Sequence, residues 1–173
     1  MRLTLVALLV LLAACNLPDQ QVTSTIHLSA TGGATDGTCA MSKDVTWRLT
    51  DQPEFAKYKS DIATATITGA RLRITSVAPG NEATQASGTA TLTAPDGSAV
   101  TLTSEGEVPI AAGKAVTLAV DDAAAQRVLA AALQAPYTVD VAAHAKADRG
   151  PCLFSFDVEL DFSVTPKVSA AFQ

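Results

Sequence analysis

The sequence predicts an all-β domain: an antiparallel β-sandwich of immunoglobulin-like type with two short helices. Three observations carry this. Apolar and polar residues alternate with a period of two through most of the chain. Turn residues recur about every ten positions. The alternation is longest in "CLFSFDVELDFSV", where Cys152, Phe154, Phe156, Val158, Leu160, Phe162 and Val164 share one phase. A closed barrel is the alternative architecture.

Taken in order, "QVTSTIHLSAT" is the first strand, with Val22, Ile26, Leu28 and Ala30 on one face and Thr23, Thr25, His27 and Ser29 on the other. "TGGATDGTC" reads as a Gly-rich loop. "VTWRLT" places Val45, Trp47 and Leu49 inward. "DQPEFAKYK" is the first helix, with Asp51 as N-cap, Pro53 in the first turn, Glu54 at the capping-box position, and Phe55 and Tyr58 on its inner face. "IATATITGARLRITSVA" is one long bent strand. Ile67 lies out of phase with Leu72 and Ile74 unless Gly69 marks a bulge.

"SGTATLTAPDGSAVTLTSEG" is a hairpin around Pro95-Asp96-Gly97, with Ala90, Leu92, Ala94, Val100 and Leu102 inward. "KAVTLAV" contributes Val116, Leu118 and Val120. "DDAAAQRVLAAALQAP" is the second helix, Asp-capped, stopped at Pro136, with Ala125, Val128, Leu129, Ala132 and Leu133 as its stripe. "YTVDVAAHAKA" turns Tyr137, Val139, Val141, Ala143 and Ala145 inward. Arg149-Gly150-Pro151 then leads into the last strand, and these final two strands are expected to form an antiparallel hairpin. Trp47 near Cys39, with Cys152 on the last strand, is similar to an immunoglobulin core, although spacing and order differ.

The chain opens "MRLTLVALLVLLAA": one cation, Arg2, then 12 uncharged apolar residues from Leu3 to Ala14. That is short of the roughly 20 residues a spanning helix needs, so it reads as an export signal. It ends in Leu12-Ala13-Ala14-Cys15, a tetrapeptide that resembles the lipobox of bacterial lipoprotein precursors. The resemblance covers only the signal and this tetrapeptide. It implies a diacylglyceryl group on the Cys15 sulfur, cleavage before Cys15, and anchorage to the lipid bilayer by two or more acyl chains. Asn16, in place of the aspartate that retains many such proteins in the inner membrane, implies the outer membrane. The organisation is then residues 1–14 as signal peptide, 15–21 as lipidated N-terminus and short tether, 22–166 as a single domain, and 167–173 as a C-terminal tail.

Removing residues 1–14 from the 173-residue chain leaves 159 and takes away one cation, moving the formal net charge from −5 to −6. A mildly acidic domain without a basic stripe excludes nucleic acid as a partner. Two cysteines remain, Cys39 and Cys152; in an exported protein such a pair is most simply a disulfide. The tight cation pairs, Lys57 with Lys59 and Arg71 with Arg73, read as solvated faces.

Candidate chemistry is sparse. Asp157, Glu159 and Asp161 project from one strand about 6.5–7 Å apart. A straight row diverges where Ca²⁺ needs convergent oxygens, so it reads as a solvated acidic face. His27 and His144 are the only histidines and form no metal motif. No nucleophile elbow, Walker loop, dinucleotide fingerprint or zinc-protease motif occurs. No catalytic residue, metal or cofactor is expected. The reading is a non-enzymatic, lipid-anchored envelope domain with a structural or protein-recognition role. The alternatives are a small-ligand or metal-binding lipoprotein on the acidic strand or the Gly-rich loop, or a hydrolase whose residues meet only in the fold.

Overall fold

A computed structural model describes residues 22–34, 39–51, 56 and 62–166. The expected signal peptide, Cys15, the tether, the tail 167–173, and nearly all of the first helix lie outside the described residues. Among the described residues, nine strands and one complete α-helix follow in order, with a 3-10 turn at Leu49–Asp51 after the second strand: β1 (Val22–Ala34), β2 (Cys39–Arg48), β3 (Ile62–Val77), β4 (Gln85–Thr93), β5 (Ala99–Ser104), β6 (Val108–Pro109), β7 (Ala115–Ala119), α1 (Asp122–Ala132), β8 (Thr138–Ala147) and β9 (Cys152–Pro166).

The strands form one antiparallel path, β1-β9-β3-β7-β5-β4-β8-β2, with β6 pairing the start of β4. The terminal strands of the path, β1 and β2, approach each other, so the sheet is barrel-like and nearly closed rather than two separate layers. The weak link is β7. It pairs with β3 only at Arg71–Arg73 and with β5 only at Thr103 and Ser104. Helix α1 packs beside that opening, against β3 and β5. Its N-cap is Asp121, whose carboxylate accepts from the Ala124 amide at 3.1 Å. Ala125, Val128, Leu129 and Ala132 are buried, the stripe read from the sequence.

The core divides by size. β9 and β3 bring large side chains: Phe154, Phe156, Phe162, Leu160, Leu72 and Ile74, all at or below 2 % exposure. β8 and β4 bring small ones, Ala143, Ala145, Ala86, Gly88 and Ala90, with Val139, Val141 and Leu92 towards one end. Gly88 shows how closely the walls approach. A Cβ there would fall 2.4 Å from Leu72 Cδ1 and 2.7 Å from the His144 carbonyl oxygen, so only glycine fits. Trp47 of β2 stacks on Phe162 of β9, centroids 5.0 Å apart at 27°, which seals the interior where the path nearly closes.

The bulge reading of β3 holds. The register against β9 slips between Ile67 and Gly69, which puts Ala65 and Ile67 in phase with Ala70, Leu72 and Ile74. The β4–β5 hairpin also forms, turning at Gly97 (φ +85°) with the Ser98 amide and hydroxyl on the Asp96 carboxylate.

Other expectations are corrected. β8 and β9 do not pair: β8 lies between β4 and β2, and β9 between β1 and β3. The intervening chain is held to the β3–β4 connection instead, by Glu82 N–H to Pro151 O and Ala78 N–H to Leu153 O, both 2.8 Å. Thr31–Ala34, read as loop, continue β1, because β9 is long enough to offer them partners from Ser155 to Cys152. β2 begins at Cys39, not Val45.

Candidate functional site

The densest chemistry lies on the outer face of β9. Its phase opposite the core carries Asp157, Glu159 and Asp161, and the bulged register of β3 sets Arg73, Arg71 and Gly69 directly beside them. Arg73 Nη2 donates to Glu159 Oε2 at 3.1 Å, and its Nε lies at ion-pair distance, 2.6 Å, from Oε1. Arg71 Nε donates to the same Oε2, and its Nη2 reaches Asp161 Oδ2 at 3.3 Å. Gly69 leaves room for Asp161: a Cβ there would lie 3.1 Å from Asp161 Oδ2.

The acidic row is therefore not a solvated face, and Arg71 with Arg73 is not a solvated pair. The Glu159 side chain is 6 % exposed, beneath arginine side chains at 42 % and 39 %. Burial alone would push its carboxyl up. The hydrogen bonds and charges of Arg73 and Arg71 outweigh burial and hold it below the usual range. The Arg71 guanidinium is raised, chiefly by its hydrogen bond to Glu159. Glu159 Oε2 accepts from both arginines, Oε1 lies at ion-pair distance from Arg73 Nε, and the group stays ionised, which suits a clamp between the two longest strands rather than a proton donor.

A lowered carboxyl pKa stabilises the fold above the unfolded value, about 4.3, and that stability is lost as pH falls through the folded value. Glu159→Gln is expected to cost about 1 kcal/mol at pH 7, since the arginines are half exposed and screened. It should also flatten the loss of thermal stability between pH 5 and pH 3. Melting curves of both proteins at the two pH values check this; parallel curves would show that the clamp does not couple to folding.

The remaining candidates stay apart. His144 is exposed on β8, flanked in register by Ser42 of β2 and Thr89 of β4. With Lys146 and Thr103 these line an open depression of about 420 Å³. His27 sits opposite Glu159 in the β1–β9 register, on a strand that does not pair with β8. No group of three or more His, Cys, Asp or Glu that could hold a metal occurs among the described residues. Cys39 and Cys152 are disulfide-bonded, Cα atoms 6.0 Å apart.

Sequence reasoning missed the arginine partners and Asp148. The Asp148 carboxylate accepts from the Thr84 and Gln85 amides (2.8 and 3.1 Å), the Thr84 hydroxyl (2.8 Å) and Arg149 Nε (2.9 Å). These bonds, the Thr84 amide foremost, hold it far below the ordinary carboxylate range. For the clamp a signal existed: Arg71 and Arg73 repeat with the same period of two as Asp157, Glu159 and Asp161.

No protein-family model matches the chain, and no curated protein matches it. Among solved structures it is similar to a chain of Desmodium yellow mottle tymovirus, at 9 % identity and a TM-score of 0.32, covering 88 % of this chain and 93 % of the viral one. At that score the likeness carries no argument about function.

Proposed function

We propose that the chain is a bacterial envelope lipoprotein, anchored in the bilayer through acylated Cys15, whose folded domain has a non-enzymatic structural or protein-recognition role. The observation that carries this is the Leu12-Ala13-Ala14-Cys15 tetrapeptide closing a 12-residue apolar run. The disulfide supports it: with Cys39 and Cys152 bonded to each other, Cys15 alone of the three cysteines is left for the lipid. The non-enzymatic half is supported by the clamp, whose buried carboxylate is ion-paired with two arginines. Asn16 favours the outer membrane as destination. The immunoglobulin-like comparison rests only on the disulfide between β2 and β9 and on the buried Trp47, which sits at the other end of β2 from Cys39.

The test is Cys15→Ser in a bacterial host. The parent should take up a fatty-acid probe and sediment with membranes. The variant should lose the label and keep residues 1–14. A variant that still labels and sediments would overturn the anchor.

A further inference from the structure

The topology fixes which end of the barrel faces the lipid. β1 starts at Val22, beside Val164 of β9, and Ile62 of β3 pairs with Pro166. Following the register around the path brings Arg48 with Thr138, and the turn between Thr93 and Ala99, to the same end. The opposite end gathers Cys39, Cys152, Val77, Gln85 and Ala147, with connections 78–84, 105–107 and 148–151.

We infer that the barrel stands with the Val22 end towards the bilayer and the disulfide end outward, with the connections 78–84, 105–107 and 148–151 furthest from the lipid. This rests on the lipid-anchor reading. The seven residues from Cys15 to Gln21 span at most ~25 Å. The 15 residues of β9 rise about 50 Å, or about 40 Å along the axis at the strand tilt of a barrel. An inverted barrel would need a tether running its full height, about 15 Å more than the tether reaches.

The sides formed by β2 to β9 and α1 give lying flat no support: among the residues whose side-chain exposure is described, Val77 at the outer end is the one exposed large apolar residue, so these sides offer no apolar face to lipid. The outer end is also tied together. Asp148 bonds both Thr84 and Gln85, Glu82 binds Pro151, and Asn81 Oδ1 accepts from the Leu153 amide at 2.9 Å.

The test uses the full lipidated protein in vesicles with acceptor-labelled headgroups. A donor fluorophore on an unnatural amino acid is placed at Ala99 or at Glu107, both exposed. Energy transfer from position 99 should exceed that from 107 several-fold. Equal or reversed transfer in protein that floats with the vesicles overturns the orientation and leaves the anchor standing. Protein that does not float overturns the anchor, and the orientation with it.

Discussion

Replacing Cys39 and Cys152 together with alanine is expected to destabilise the domain by about 4–5 kcal/mol, the loop-closure entropy for a bond of this span. The bond closes 113 sequence positions, so the unfolded chain regains most of its freedom when it is lost. Its place adds a local effect. Cys39 opens β2, the last strand of the path, which is paired along one edge only, with β8. Cys152 opens β9, next to the other terminal strand. The bond thus ties terminal strand β2 to β9, the neighbour of the other terminal strand, across a seam that no backbone ladder closes among the described residues. Since domains of this size are stable by about 5–15 kcal/mol in all, such a loss is a large fraction of the total. Urea unfolding of oxidised parent and double variant measures it. Amide exchange should quicken in β2 more than in β4, which has partners on both edges. A cost under 1 kcal/mol with uniform exchange would show that the seam holds without the bond.

How much of this was legible in the sequence depends on what alternation encodes. A period of two reports which face of a strand is buried, and β9 obeys it from Cys152 to Val164. It also located the bulge at Gly69, because an apolar phase that inverts within one strand needs an extra residue to restore it. It says nothing about lateral neighbours. β8 and β9 are adjacent in sequence and alternate alike, so a hairpin was the simplest pairing. The decision lies in the connection, where Asp148 is drawn to Thr84 and Gln85. The same blindness hid the clamp. Glu159 sits on the polar phase of its strand, yet it is 5 % exposed, because two arginines from β3 lie over it. Burial of a polar side chain by its lateral neighbours is a tertiary property, and only the matched periods of Arg71-x-Arg73 and Asp157-x-Glu159 hint at it.

Phe156→Ala is expected to cost about 3–5 kcal/mol, the range for emptying a fully buried phenyl site. Phe156 has no exposed surface and lies on β9, in register with Ile74 on one side and Ala30 on the other. The upper part of the range is favoured by what surrounds it. A cavity is cheapest where neighbouring side chains can swing in. Here β4 and β8 line the core with Ala86, Gly88, Ala90, Ala143 and Ala145, which have no side-chain length to move. The walls cannot approach further either, since the Leu72 side chain already lies where a Cβ on Gly88 would be. Phe156→Leu keeps most of the volume and should cost about 1–1.5 kcal/mol. In thermal melts the alanine variant should fall by roughly 10–15 °C and the leucine variant by roughly 3–5 °C, at about 3 °C per kcal/mol for a domain near 150 residues. Similar falls for the two would mean that the interior closes over the missing ring, and that its small-residue wall yields where this structure makes it rigid.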